Sequence, residues 1–235
     1  MSDLPESVLR FAAEARLQRL PIARAVAEAA AETPAGARVL DAGAGEAPYR
    51  PLFAHCEYRT QDWPGSPHAG AQGSDIVADL HALPDDVGEF DLIVCTEVLE
   101  HVEDPVTVVG ELRRVLKPGG RLLVTVPFVG ALHEEPYDFS RFTDRGLRST
   151  LERGGLTIEA IRPLTGFWST LAHVLRFAGL ATNRLDEPPR PAGRALAAIA
   201  LALSVPLAAI APRLDRLDRR RALPVGWVAR ARKEA

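Results

Sequence analysis

Between residues 39 and 50 the chain reads VLDAGAGEAPYR, and this dozen constrains the fold more than any other stretch. A short strand-like run over 38–40 ends in Asp41. Gly43 and Gly45 follow, where a backbone without Cβ can turn sharply and let a ligand approach closely. Pro48 then suits the first turn of a helix over 46–53, because its missing N–H would be unpaired there in any case. Strand, glycine loop, helix is the first half of a nucleotide-binding βαβ unit. A Gly-x-Gly alone is equally a tight turn with no ligand, so its neighbours decide. The dinucleotide fingerprint has a third glycine three residues after the second, and here Pro48 stands at that place. Asp41 and Glu46 bracket the loop with negative charge that would repel a pyrophosphate. The loop suits a ligand carrying positive charge.

Taken in order, residues 5–20 and 22–32 have helical spacing, interrupted at Pro21, and read as covering helices placed to act as a lid. Residues 57–61 form a candidate second strand ending at Asp62, about twenty residues beyond the loop, where a carboxylate can accept both ribose hydroxyls. The Gly-, Pro- and Ser-rich stretch 63–73 reads as irregular, and 74–80 (SDIVADL) as a third strand. Residues 90–96 (FDLIVCT) are an apolar run of the kind buried on both faces of a parallel sheet, leading into Glu97. Asp104 and Pro105 start a helix, with Val106, Val109, Leu112 and Leu116 as its buried face, and Lys117-Pro118-Gly119-Gly120 ends it. A fifth strand spans 120–128, a helix 143–153 and a sixth strand 156–164. Acids close or follow the early strands, so they share the carboxyl rim of the sheet, where ligands bind in this architecture.

The remainder is unusual. Residues 167–181 are an apolar helix, 183–193 a Pro- and charge-rich linker, and 195–211 a run without any charge, followed by RLDRLDRRR at 213–221. Residues 225–233 (VGWVARARK) alternate like an edge strand. The division expected is 1–36 covering helices, 37–164 core, 165–222 helical apolar and basic insertion, and 223–235 a final strand returning to the sheet. With 235 residues, 47% hydrophobic and 25% charged, the chain can fill one sizeable core. A formal net charge of −3 argues against a general nucleic-acid binder, although from about residue 182 onward arginines outnumber acids about two to one. Cys56 and Cys95 fall in or beside strands, which points to small buried apolar groups rather than a disulfide or zinc site. The polar start at 1–10 carries no signal-peptide pattern, and the expected location is the cytoplasm.

With that order of elements, the chain resembles class I S-adenosyl-L-methionine-dependent methyltransferases, specifically the methyltransferase type 11 group. The matching stretches are VLDAGAGEAPY, Asp62, ADL at 78–80, FDLIVCTEVLEHVEDP at 90–105 and LKPGGRLLVTVP at 116–127. The family often has a third glycine where this chain has Ala47. The resemblance implies a Rossmann-like, doubly wound, seven-stranded, mostly parallel α/β sheet with an antiparallel last strand. It implies S-adenosylmethionine as cofactor, with Asp41, Gly43 and Gly45 beside its methionine part, Asp62 on the ribose, Asp79 and the Leu80 backbone on the adenine, and Glu97 beside the transferable methyl. An acidic rim agrees, because a sulfonium and an ammonium outweigh one carboxylate.

His101 and His133 are the candidate catalytic residues, each equally readable as a histidine that merely hydrogen-bonds in a loop. No metal is assigned. The alternative is that Glu97, Glu100 and His101, at i, i+3 and i+4 on one helical face, join His133 around a divalent ion, by similarity to members carrying Glu-x-x-Glu-His. Tyr137, Asp138, Phe139 and Arg141 either shape the acceptor pocket or form a structural loop with Asp138 and Arg141 paired. The expected activity is methyl transfer to a small or lipid- or sugar-linked acceptor at oxygen, since no Asn-Pro-Pro-Tyr string follows the fourth strand. Two other classes stay open: a non-catalytic cofactor-binding module, and a nicotinamide oxidoreductase, which the acidic loop and absence of Tyr-x-x-x-Lys disfavour. Residues 195–221 are expected either to contact the inner membrane face peripherally or to pack on the domain or in a homodimer.

Overall fold

The strands are β1 (Arg38–Ala42), β2 (Glu57–Asp62), β3 (Ile76–Val77), β4 (Phe90–Thr96), β5 (Leu116–Pro127), β6 (Thr157–Pro163) and β7 (Gly226–Arg232). In the computed structural model, which describes residues 4–181 and 191–235, they form one sheet in the order β3-β2-β1-β4-β5-β7-β6. β1 to β5 pair in parallel, and β7 runs antiparallel between β5 and β6. The helices are α1 (Glu6–Glu14), α2 (Arg16–Ala31), α3 (Pro105–Arg114), α4 (Asp144–Arg153), α5 (Phe167–Ala181) and α6 (Pro191–Leu214).

Successive side chains of a strand point to opposite faces, and here both faces are covered. Leu40, Ile93, Leu122 and Val124 face one way and pack with Val108, Val109 and Leu112 of α3 and Leu147 and Leu151 of α4. Val39, Leu92, Val94, Leu123 and Val228 face the other way and pack with Ile22, Val26 and Ala29 of α2 and with Phe53. This is why 90–96 reads as unbroken apolar sequence. Asp104 caps α3 through the Val106 and Thr107 amides at 3.1 and 3.2 Å, and Thr143 caps α4 through Gly146. The sheet order reverses between β1 and β4, which opens a crevice at their carboxyl ends.

Several expectations change. No α-helix forms over 46–53; the chain makes turns and then a 3-10 turn at Arg50–Phe53, while α2 covers that face of the sheet. The helix break falls at Ala15 (φ −133°, ψ 57°), and Pro21 lies inside α2, near enough to its start that only one helical bond is forgone. β3 shrinks to two residues because side chains satisfy the flanking backbone: Asp75 accepts from the Thr60 amide at 2.8 Å, and the Gln61 amide donates to the Ala78 carbonyl at 2.7 Å. β7 is an interior strand, not an edge. Its alternating arginines reach the sheet margin, where Arg230 pairs with Glu32 at 2.8 Å. Cys95 is buried and Cys56 partly so, both unbridged. Of the linker expected over 183–193, residues 183–190 lie outside the described residues.

Candidate functional site

A cavity of about 410 Å³ opens at the carboxyl rim of β1, β2 and β4, within the range of about 300 to 1,000 Å³ usual for small-molecule sites. Gly43 and Gly45 have φ of +70° and +53°, the left-handed region that glycine enters without strain. A Cβ on Gly43 would meet Val98 Cγ2 at 2.4 Å, so the glycine is what lets the loop pass the β4 turn. Ala47 also sits at positive φ, +49°, a conformation that glycine would adopt with less strain.

Asp62 ties the loop down. Its Oδ2 accepts from the Gly45 amide at 2.8 Å and its Oδ1 from the Trp63 amide at 2.9 Å. Each oxygen keeps a further lone pair for a ligand hydroxyl. Behind it, Asp41 is buried and bonded to the Tyr58 hydroxyl, outside the cavity lining rather than in it. Burial, with the neighbouring Asp62 charge, pushes its carboxyl up to about 7. Asp79 is exposed on the rim and accepts from the His81 amide and ring at 2.8 and 2.7 Å; these bonds hold it below the usual carboxylate range. Leu80 lines the cavity beside it.

Glu97 ends β4 at φ +55° and is held between α2 and β5: Gln18 Nε2 donates to it at 2.5 Å and the Thr125 hydroxyl at 2.9 Å. The N-terminal helices thus do reach the site. Glu97, Glu100 and His101 do not share an α-helical face, because only a 3-10 turn at Leu99–His101 forms. Instead Glu100, His101 and His133 converge, with ligand atoms all within 4.8 Å of one another. Glu100 is fully buried and both its carboxylate oxygens are without a hydrogen-bond partner. Burial and the Glu97 charge raise its pKa, and burial raises that of Glu97 too.

His101 and His133 meet edge to face with ring centroids 4.7 Å apart. Only His101 lines the cavity. Its Nδ1 lies 2.5 Å from the Tyr137 carbonyl, an acceptor only, so in the neutral ring Nδ1 carries the proton and Nε2 a lone pair, with Glu100 and Glu134 carboxylate oxygens 3.8 and 4.0 Å from Nε2. His133 sits against Asp138, whose carboxylate accepts from the His133 amide at 2.9 Å. Asp138 and Arg141 form a two-point ion pair at 2.5 and 2.8 Å, which lowers the Asp138 pKa to about 2. Tyr137 and Phe139 line the mouth of the cavity. The 133–143 segment therefore divides its work: Asp138 and Arg141 hold the loop, and the aromatics face the cavity.

Other residues enter that sequence reasoning did not single out. Gln61 bridges Gly43 and Ala78 by side-chain bonds of 3.2 and 2.7 Å. Trp63 presents an apolar ring edge to face with Tyr137, centroids 5.1 Å apart, and its place directly after Asp62 was the available signal. His68 lies between Glu46 at 3.5 Å and Glu134 at 3.4 Å, closing the irregular 63–73 stretch over the loop. Among the described residues, six carboxylates and no Lys or Arg line the cavity. Its charge, glycine approach and size fit S-adenosylmethionine and oppose a pyrophosphate.

A family model described as a methyltransferase domain matches residues 13–161. A ubiquinone biosynthesis O-methyltransferase of Pseudomonas aeruginosa is 35% identical over 106 residues, 43% of this chain and 44% of that protein. One from Xanthomonas oryzae pv. oryzae is 41% identical over 64 residues, 27% of this chain and 24% of that protein. The chain spans less than half the length of these curated relatives. The cyclase SpnF superposes with a TM-score of 0.57 at 19% identity, covering 91% of this chain and 81% of that one. Haemonchus contortus phosphoethanolamine N-methyltransferase 2, solved with S-adenosyl-L-methionine, gives 0.55 at 16%, covering 91% and 52%. At these identities the superpositions speak to the fold alone.

Proposed function

Because the chain belongs to the methyltransferase-domain family and is a class I S-adenosylmethionine-dependent methyltransferase, we propose that it methylates a hydroxyl of a small or lipid-linked acceptor, with His101 as general base. The observation that carries this reading is the His101 ring, fixed by the Tyr137 carbonyl so that the Nε2 lone pair is left for a substrate proton. Its partial match to O-methyltransferases of ubiquinone biosynthesis supports oxygen as the acceptor atom. When bound, the cofactor supplies a methyl already activated by a sulfonium.

The chain's residues do the rest. Asp62 accepts the ribose hydroxyls with the lone pairs its two amide bonds leave free. Asp79, Leu80 and Trp63 take the adenine, and the backbone of Gly43 the methionine part, with Gly45 just behind the lining and its amide held by Asp62. Glu97 flanks the methyl from the end of β4, while Tyr137 and Phe139 exclude water and place the acceptor in line. His101 Nε2 would take the hydroxyl proton as the oxygen bonds to the methyl carbon, while the bond from that carbon to the sulfonium sulfur breaks and leaves a neutral thioether.

A radiolabelled methyl-transfer screen over phenolic, sugar and polyprenyl acceptors tests this. The reading predicts product labelled on oxygen by wild type and little by His101→Gln; labelled nitrogen, or full activity of that variant, would contradict it.

One observation favours a second reading of the same corner. The buried, unpartnered Glu100 carboxylate beside His101 and His133 is a donor set suited to a divalent cation. The two readings compete for His101 Nε2. A divalent ion retained in stoichiometric amount by protein purified without chelator, and lost in Glu100→Gln, favours the cation; protein free of metal and active in EDTA rejects it.

A further inference from the structure

The α5–α6 hairpin, inserted between β6 and β7, takes no part in the cavity just described. Along α6 the partly or fully buried positions are mostly small, Gly193, Ala197, Ala200, Ser204, Ala208 and Ala211, joined by Leu207 and Leu214. A seam of small residues lets two helix backbones approach closely. Most of the large side chains point away from it. Leu196, Ile199, Leu201, Leu203, Val205 and Ile210 are between 48% and 62% exposed. No charged residue stands between Arg194 and Arg213, the stretch Gly193–Leu214 has a mean hydropathy of 2.2, and 11% of its most apolar window is buried. A water-facing helix shows the reverse arrangement, with large apolar groups inward and charge outward. Among the described residues this stretch packs on α5 through its seam and leaves its aliphatic face uncovered.

The charges sit at the ends. Arg194 marks one end of α6, and Arg213, Arg216, Arg219, Arg220 and Arg221 cluster at the other. The two acids of that cluster are committed to capping α5. Asp215 accepts from the Gly166, Trp168 and Ser169 amides at 3.0, 2.9 and 3.1 Å, and Asp218 from Phe167 at 2.9 Å. A cleft of about 1260 Å³ along the flank of α6 adds Arg16, Arg24 and Arg176. Its Glu28 is already paired with Arg162 at 2.9 Å.

Topology limits the geometry. β6 and β7 are antiparallel neighbours in one sheet, so the chain must return to the side it left. Within the described residues α5 has 15, a length of about 22 Å, against a hydrocarbon core of about 30 Å. The hairpin can lie in a bilayer surface but not span it as a helix pair. We propose that it is a monotopic anchor: α6 lays its aliphatic face into an anionic phospholipid bilayer, and the arginines at its base meet the phosphate headgroups. Charge complementarity selects this occupant over a second copy, which would bring its own arginines rather than acids to the contact.

Flotation of the full chain with vesicles of phosphatidylcholine alone, or mixed equally with phosphatidylglycerol, is the test. Wild type is expected to float with the anionic vesicles, and about tenfold less with the neutral ones or in high salt. Leu196→Glu/Ile199→Glu/Leu203→Glu should abolish flotation, and Arg219→Glu/Arg220→Glu/Arg221→Glu should weaken it about tenfold. Both variants should keep wild-type affinity for S-adenosylmethionine, which certifies their fold and separates this proposal from the catalytic one. Protein that stays in solution with both vesicles, or flotation indifferent to the triple glutamate change, overturns the anchor. So does a soluble dimer, seen by light scattering, that the same change dissociates.

Discussion

At the sheet rim carboxylates are buried, and along the hairpin aliphatic side chains are exposed. Asp41, Asp62 and Glu100 are 1%, 3% and 0% exposed, whereas Leu203 and Val205 are 56% and 62% exposed. Each arrangement is unfavourable for an isolated chain in water: buried charge is costly without a partner, and exposed apolar area gains nothing from the hydrophobic effect. The difference teaches what each region is built to meet. The rim satisfies part of its polar demand internally, through Gly45, Trp63 and Tyr58, and leaves the rest for a cation. The hairpin satisfies its seam and its α5 cap, and in the proposed reading its exposed aliphatic face is what an apolar phase would cover.

The comparison can be broken at either side. The largest effect is expected from His101→Ala, which should lower kcat by about 10² to 10⁴ while leaving the cofactor Kd within about twofold, measured by steady-state kinetics and calorimetry. His133→Ala, outside the cavity, should cost less than about tenfold. Gly43→Ala drives a Cβ into Val98 at positive φ and should weaken S-adenosylmethionine binding by about 100-fold, read by the same titration.

The Asp41 carboxyl comes next. Its pKa is raised from 3.8 to about 7, so the folded chain binds the proton more tightly than the unfolded one. Stability from this group is full below the unfolded pKa and is lost as pH rises through the folded one. Denaturant titrations of the apo protein should lose about 2 kcal/mol between about pH 5 and pH 7.5, and Asp41→Asn should flatten that slope. On the hairpin side, Asp215→Ala uncaps α5 and should lower stability by about 1 to 2 kcal/mol without touching cofactor affinity. Smallest of all, Leu203→Gln should change stability in detergent-free buffer by no more than about 0.5 kcal/mol, because the side chain leaves little packing behind.

How legible these regions are follows from the range of the forces involved. β4 is readable to the residue because its apolar run is dictated by burial on both faces, a local property. The glycine loop and Asp62 are readable because φ > 0 and strand-end acids leave their own marks. The 46–53 helix and the helical face of Glu97, Glu100 and His101 fail because short segments next to a site take whatever turn the packing leaves: a 3-10 turn in each case. Gln61, His68 and Glu134 escape detection because their contacts are with loops distant in sequence. β7 is misread as an edge because Arg230 and Arg232 write alternation into an interior strand, their heads reaching Glu32 and Glu159 at the margin.

The central claim is that an acidic rim organised by Asp62 holds a cationic cofactor. Calorimetric titration with S-adenosylmethionine and, separately, NADH, on wild type and Asp62→Ala, tests it most directly. The account predicts binding of S-adenosylmethionine alone, weakened at least about tenfold by the substitution, which removes the ribose acceptor and releases the Gly45 amide. Binding of NADH, or S-adenosylmethionine affinity unchanged in Asp62→Ala, would contradict it.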